Sequence, residues 1–345
     1  MADAEPDEEV ALAPPLAPLL ERAAAAWLEP VRERLAAMRT EGRLPHGLLL
    51  AGAPGAGQAE ISAWLAGLLL CRRPAGGPCG DCADCRLLLA GSHPDLHWTC
   101  VLPDKKEISI AQVRGLAEKL AMRSYRGGAK AAVLAPAEAM NRFSFNSLLK
   151  TLEEPAPDTY LLLAASRIDR VPKTILSRCM RLRLPLPGER EALDWLQGLP
   201  GRHAWPALLA LAGGAPFLAV DFAAAGLDGL DDEMQGAIDA AMEGKLDFVA
   251  FAEACAKNSP AARLAWLESW LTRSLKEAAL ASDLVNNNRL PWLRPPGVDT
   301  KIRAGHGLLD ELRDARRLVG GSLNAQLLFE GLSISLAALV GRPAR

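Results

Sequence analysis

The chain has 345 residues, of which 50% are hydrophobic and 23% charged, a balance that excludes extended disorder and is sufficient for two or three cored domains. Its formal net charge of −2 leaves no overall basic excess, so any contact with nucleic acid has to be local or shared with partners. A membrane span is not expected: the longest uncharged stretch, 204–220, falls short of the roughly 18–20 apolar residues required and is broken by Pro206, Gly213, Gly214 and Pro216.

An apolar run near the N-terminus follows Asp3, Glu5, Asp7, Glu8 and Glu9, where a secretory signal would be positively charged. Residues 1–24 therefore read as a disordered acidic leader on a cytoplasmic protein. Helical spacing follows over 27–38. The continuous apolar run 47–52 has the pattern of a strand buried on both faces, and it passes through a glycine-rich turn into a helix over 59–70. Beyond a cysteine-rich segment, strands are expected at 96–102, 130–134 and 160–165, alternating with helices at 110–122 and 143–152. That alternation predicts a parallel α/β sheet. Strand signals stop at Leu184-Pro185-Leu186-Pro187-Gly188, which sets a first boundary. Everything later reads as helical: 189–199, 205–212, a Gly/Asp-rich linker near 226–232, and a helix opened by Asn258-Ser259-Pro260. Leu264, Leu267, Leu271 and Leu275 line one face of that helix, a loop spans 286–297, and two further helices close the chain.

Gly52-Ala53-Pro54-Gly55-Ala56-Gly57-Gln58-Ala59 has the glycine spacing of a P-loop between strand and helix. A working loop wraps phosphates with backbone N–H groups, neutralises charge with a lysine and ligates Mg²⁺ through a Ser/Thr hydroxyl. Gln58 and Ala59 stand at those last two positions and supply neither charge nor oxygen. Of the loop, Gly52, Gly55 and Gly57 remain. The alternative is a glycine turn with no nucleotide role. The strand 130–134 should end in carboxylates if ATP were hydrolysed, but Ala135 and Pro136 follow it, with Glu138 expected on the next helix.

Cys71, Cys79, Cys82 and Cys85 give C-x7-C-x2-C-x2-C in a polar Gly/Pro-rich stretch. Four thiolates in one short loop can close a tetrahedron around structural zinc, with no open position for catalysis. Unliganded or redox-active cysteines and an iron–sulfur cluster are the other readings. His93 and His97 read as ordinary polar residues, and Cys100, Cys179 and Cys255 as buried thiols. Arg178, in Thr174-Ile175-Leu176-Ser177-Arg178-Cys179, reads by itself as a solvated or salt-bridged arginine.

The P-loop remnant, the cysteines after it, the segment Asn146-Ser147-Leu148-Leu149-Lys150-Thr151-Leu152-Glu153-Glu154-Pro155 and the triplet Ser177-Arg178-Cys179 together resemble the bacterial clamp-loader subunits, AAA+ proteins of the DNA polymerase III holoenzyme. The segment Ala262-Arg263-Leu264-Ala265-Trp266-Leu267 fits more loosely. Within the family, the damaged nucleotide motifs resemble the delta prime type rather than the ATP-hydrolysing tau/gamma type. The resemblance implies an AAA+ α/β domain with a zinc-binding insertion (25–186, module at 71–85), a small helical lid (187–227) and an all-α collar that assembles the ring (228–345). It implies a subunit that binds no ATP, partners tau/gamma and delta, and reaches the sliding clamp and primed DNA through the complex. It also implies that Arg178 is an arginine finger supplied in trans to a neighbouring tau/gamma site, and that the lid's sensor arginine is replaced by Ala215 or Pro216. A tau/gamma-like ATPase is the first rival reading; a zinc-dependent nucleic-acid-binding module is the second.

Overall fold

The computed structural model describes residues 14–103, 105–280, 292–293, 298–319 and 324–341. The chain divides into two compact units, Met1–Glu191 and Ala192–Arg345. Expectations for residues 1–13 and for most of the loop 286–297 lie outside the described residues.

The first unit runs α1 (Leu16–Ala23), α2 (Glu29–Thr40), β1 (Gly47–Ala51), α3 (Gln58–Leu70), α4 (Ala83–Leu89), β2 (Leu96–Thr99), α5 (Ile110–Ala121), β3 (Lys130–Leu134), α6 (Arg142–Glu153), β4 (Thr159–Ala165), α7 (Lys173–Leu176) and β5 (Met180–Arg183). The five strands form one parallel sheet in the order β2-β3-β4-β1-β5. β1 therefore lies inside the sheet, with Leu48 opposite both Leu162 and Met180. Side chains alternate between the faces with period two. Leu49, Ala132, Leu134, Leu161 and Leu163 pack with Val113, Leu116 and Leu120 of α5 and with Phe145, Leu148 and Leu152 of α6. α3 covers the opposite face against β1, β3 and β4. Leu49 is fully buried, and truncating such a residue to Ala costs about 2–5 kcal/mol.

Local chemistry sets the helix starts. Ser109 and Gln112 form a reciprocal capping box at α5, with Ser109 Oγ accepting the Gln112 amide at 3.2 Å and Gln112 Oε1 accepting the Ser109 amide at 3.0 Å. Asn141 Oδ1 accepts the Ser144 amide at 2.9 Å and opens α6, which closes ahead of Pro155.

The disordered leader expected over 1–24 is corrected for its second half. Residues 16–23 form α1, which packs against α3 with Leu16 and Ala23 buried. The physical reason is α3 itself: apart from half-buried Ala59, every residue of that helix is buried, so its outer side also needs apolar cover. Arg22 adds an ion pair to buried Glu60 at 3.7 Å. The second strand is shorter than expected, ending at Thr99.

The second unit contains α8 (Glu189–Gln197), whose first residues precede the division, then α9 (Trp205–Leu211), α10 (Pro216–Ala224), α11 (Leu230–Met242), α12 (Phe248–Lys257), α13 (Pro260–Leu280), α14 (Val298–Leu318) and α15 (Ala325–Val340). Ala192, Leu196, Leu208, Leu209, Ala215 and Ala219 form one apolar cluster. A larger one draws mainly on α11 to α15, including Met234, Cys255, Leu264, Leu271, Leu312 and Phe329, and is joined by Leu211 of α9 and by Trp292 and Leu293. The linker expected near 226–232 is folded instead: Leu227–Gly229 is a 3-10 turn that runs directly into α11. Asp231 accepts the indole N–H of Trp266 at 2.6 Å, and Glu233 takes both carboxylate oxygens to Arg263 Nη2 at 2.7 Å, so the acidic residues serve α13. No single helix among the described residues is long and apolar enough to cross a membrane.

Candidate functional site

The turn after β1 keeps the backbone of a phosphate loop, with Gly55 at φ 74° and Gly57 at φ 106°, conformations that favour glycine. Its side chains do something else. Gln58 is buried, and its Nε2 donates to the carbonyls of Gly52 and Ala53, each at 2.9 Å. A Cβ on Gly52 would lie 3.0 Å from Ala56 Cβ and 3.3 Å from Gln58 Nε2, so the loop is closed over its own amide. Ala59 offers no oxygen to a metal. At the end of β3, Ala135 and Pro136 have no ligand atoms. Glu138 sits in the 3-10 turn Ala137–Ala139, ahead of α6 rather than on it. Its Oε1 accepts the amides of Ser166 at 2.9 Å and Arg167 at 3.1 Å, which ties the carboxylate to the backbone just beyond β4.

Cys71, Cys79, Cys82 and Cys85 are brought together, all four sulfurs lying within 4.8 Å of one another. Cys71 follows α3 directly and Cys82 is the N-cap of α4, so two helix ends carry the site. The Cys71–Cys82 sulfurs are 4.0 Å apart and the Cys79–Cys85 sulfurs 3.8 Å, too far for a disulfide. A tetrahedron with zinc–sulfur bonds of about 2.3 Å has edges of about 3.8 Å, so the cluster fits one tetrahedral ion. Backbone amides of Arg73 and Cys79 point at Cys71 Sγ, that of Cys82 at Cys79 Sγ and that of Cys85 at Cys82 Sγ, each at 3.4 Å. Such donors stabilise thiolate. Burial raises the Cys82 thiol, but the amides of Cys85 and Arg72 outweigh it and bring the pKa to about 6. Cys85, more enclosed, is pushed up by burial. The cluster's donor set thus suits a closed structural zinc site, four sulfurs with no open position.

Sequence spacing missed the polar layer under the cysteines. Asp84, 1% exposed, accepts Arg72 Nε at 2.9 Å and Arg126 Nε at 2.7 Å, and His93 Nε2 lies 3.4 Å from it. Burial opposes the carboxylate's charge, yet the two guanidinium groups hold its pKa below the ordinary value. His93 is buried in this network, and burial lowers its pKa despite both neighbouring carboxylates.

Arg178 follows α7, and its side chain is 36% exposed. Its Nη2 is 2.5 Å from Glu153 Oε1, and Nη1 donates to the Thr174 carbonyl at 3.0 Å and to Ser177 Oγ at 3.3 Å. The guanidinium is anchored at the edge of the first unit and still faces solvent. Ala215 caps α10 and Pro216 is its first residue, so no arginine stands at that helix start. Of the three isolated thiols, burial raises Cys179 to about 11 and Cys255 to about 12, whereas Cys100 is only half-buried, a correction to the expectation of three buried thiols.

Comparison with known proteins adds the family. Residues 28–187 match the family model described as DNA polymerase III, delta subunit. A DNA polymerase III subunit delta' from Pseudomonas aeruginosa is 44% identical over 178 residues, 50% of this chain and 54% of the relative, so the chain spans about half the length of that protein. The subunit delta' of Yersinia pestis is 33% identical over 279 residues, 78% of this chain and 81% of the relative. A solved gamma subunit-related protein from Thermotoga maritima aligns over 88% of this chain and 98% of its own length, with 15% identity and a TM-score of 0.44. With one-third identity carried across four-fifths of the Yersinia protein, and the family model lying over the sheet, the glycine-rich turn and the cysteines, the chain belongs to the DNA polymerase III subunit delta' family.

Proposed function

We propose that the chain is a non-hydrolysing subunit of the bacterial clamp loader, which helps ATP-driven loading of the sliding clamp onto primed DNA. The observation that carries this reading is Gln58: the side chain at the P-loop lysine position is bonded to the loop's own carbonyls, next to an alanine where Mg²⁺ needs an oxygen. Ala135 and Pro136 at the end of β3 support it, since they remove the second half of the ATP machinery. The chain then works through partners, the tau/gamma and delta subunits, in the cytoplasm. Its division is an AAA+ domain over 25–186, a lid over 187–227 and a collar over 228–345. Structural zinc sits on Cys71, Cys79, Cys82 and Cys85, and Arg178 reaches a neighbouring tau/gamma site. Arg178's exposure and its anchoring by Glu153 support that last role, because a finger has to be held in place and free at its tip.

Equilibrium titration of the purified chain with a fluorescent ATP analogue and Mg²⁺ is expected to show no saturable binding. Reconstitution with tau/gamma and delta should make clamp loading depend on this chain. Micromolar, Mg²⁺-dependent binding by the chain alone would restore the ATPase reading.

A further inference from the structure

Asp84 lies between two of the clustered cysteines and accepts guanidinium donors from two separate places in the first unit, with the His93 ring beside it. Arg72, immediately after Cys71, donates Nε to Oδ2 at 2.9 Å, and the amide of the next residue, Arg73, donates to the Cys71 sulfur at 3.4 Å. His93 accepts the Asp95 amide on Nδ1 at 3.1 Å, which assigns the ring proton to Nε2, on the side that faces Asp84 Oδ1 at 3.4 Å. Arg126 donates Nε to Oδ1 at 2.7 Å, and its carbonyl accepts Arg72 Nη2. Arg126 belongs to a turn held by a second buried carboxylate: Asp95 accepts Ser124 Oγ at 2.9 Å and the amides of Tyr125 and Arg126 at 2.8 Å. The turn carries Tyr125, 73% exposed. By contrast Arg73 and Asp81, also in the cysteine segment, pair at 3.2 Å with 67% and 72% of their side chains in solvent.

We propose that Asp84 is a positioning residue that ties metal occupancy of the cysteine cluster to the order of the turn 124–128. This rests on the structural-metal reading above. Through Arg72 it fixes the backbone just after Cys71, where the Arg73 amide meets the Cys71 sulfur, and this preforms one corner of the tetrahedron. Through Arg126 it passes the state of the cluster to a segment distant in sequence. Without the cation the four sulfurs take up protons and lose their common centre, and 71–85 loosens. Asp84 then loses its fixed place, and Arg126 is released with it. Partners in the layer beyond the metal ligands commonly alter metal affinity by about 10–100-fold.

The test uses the full chain: zinc affinity by competition with a chromophoric chelator, and amide hydrogen exchange of 124–128 with and without zinc. In the wild type, zinc removal should speed exchange in that turn while leaving β1, β3 and β4 protected. Asp84→Asn should weaken zinc binding by about 10–100-fold. Arg126→Gln should keep zinc affinity near wild type but make exchange of the turn independent of zinc, and Arg73→Gln should match the wild type in both measurements. Should Asp84→Asn fail to fold, Arg126→Gln decides. Wild-type zinc affinity in Asp84→Asn, or zinc-dependent protection surviving in Arg126→Gln, overturns the proposal while the metal reading stands. A wild-type chain that takes up no zinc overturns the metal reading itself, and the coupling with it.

Discussion

Arg178→Ala separates a local role from one exercised on another molecule. Within the chain the side chain makes one ion pair with Glu153, both partners partly in water at 36% and 49% exposure, plus donations to the Thr174 carbonyl and Ser177 Oγ at an exposed turn. Exposed pairs of this kind contribute about 0.2–1 kcal/mol. The melting temperature should therefore fall by no more than about 2–4 °C, and assembly should be unchanged. If the guanidinium serves a phosphate on a neighbouring subunit, the loss at that site is of another order, about 10³–10⁵ in rate, or roughly 4–7 kcal/mol of transition-state stabilisation. Steady-state ATPase of the reconstituted complex would fall less than that, because its other sites keep their own fingers. Clamp loading, which needs coordinated turnover, should fall further. Arg178→Lys should not rescue, since an ammonium cannot present the planar fork. Glu153→Ala, which removes the anchor but keeps the finger, should give an intermediate loading rate. A fully assembled Arg178→Ala complex that loads clamps at the wild-type rate would refute the argument and leave Arg178 as a surface ion-pair residue.

Three further outcomes are expected. Reductively purified chain should carry one zinc ion, and Cys82→Ser or Cys85→Ser should release it while circular dichroism of the sheet is largely kept; metal analysis below about half an equivalent in the wild type would count against the site. Glu233→Ala should cost about 2–3 kcal/mol in denaturant unfolding of the second unit, because Arg263, 4% exposed, would stay buried without its carboxylate, while water reaching the half-exposed Glu233 position limits the loss. Alkaline pH should destabilise the chain through its buried thiols: Cys179 and Cys255 are raised to about 11 and about 12, so the folded form keeps protons that the unfolded form gives up. That contribution is full below the unfolded thiol pKa near 8.5 and declines above it, by up to about 1.4 kcal/mol per pH unit for each thiol. Cys255→Ala should make the decline measured between pH 9 and 11 shallower, and an unchanged slope would show that other groups cause it.

What was legible in the sequence was whatever depends on neighbours along the chain. The run Gly47–Ala51, the glycines at 55 and 57 and the strand Lys130–Leu134 announce themselves by local composition, and they fall where expected. The cysteines were legible for the same reason, since their ligand spacing lies within 15 residues. Asp84 was not, because its partners at 72, 93 and 126 meet only after the sheet has formed. α1 was missed because the acidic residues before it suggested solvent, while the argument for order lies in α3, which needs an apolar cover. The acidic run after Gly226 looked like a linker because its use is equally remote: Asp231 and Glu233 find Trp266 and Arg263 on α13.

The glycine-rich turn after β1 is closed by the chain's own side chains. A loop of this shape turns backbone groups inward, and in a working site the nucleotide and its metal satisfy many of them. Phosphate oxygens would meet such a loop's N–H groups, whereas its carbonyls need a donor from the protein. Gln58 supplies an amide that bridges the carbonyls of Gly52 and Ala53, and Ala56 fills the space beside it. A lysine placed there would bring a charge into a closed, largely buried turn with no phosphate to meet it, which costs more than the amide it replaces. The glutamine thus ties the start of α3 back to the turn that leaves β1. Arg178 lies two residues ahead of β5 and beside Gly47 at the start of β1, so the exposed guanidinium sits at the opposite end of these parallel strands from the turn that Gln58 closes.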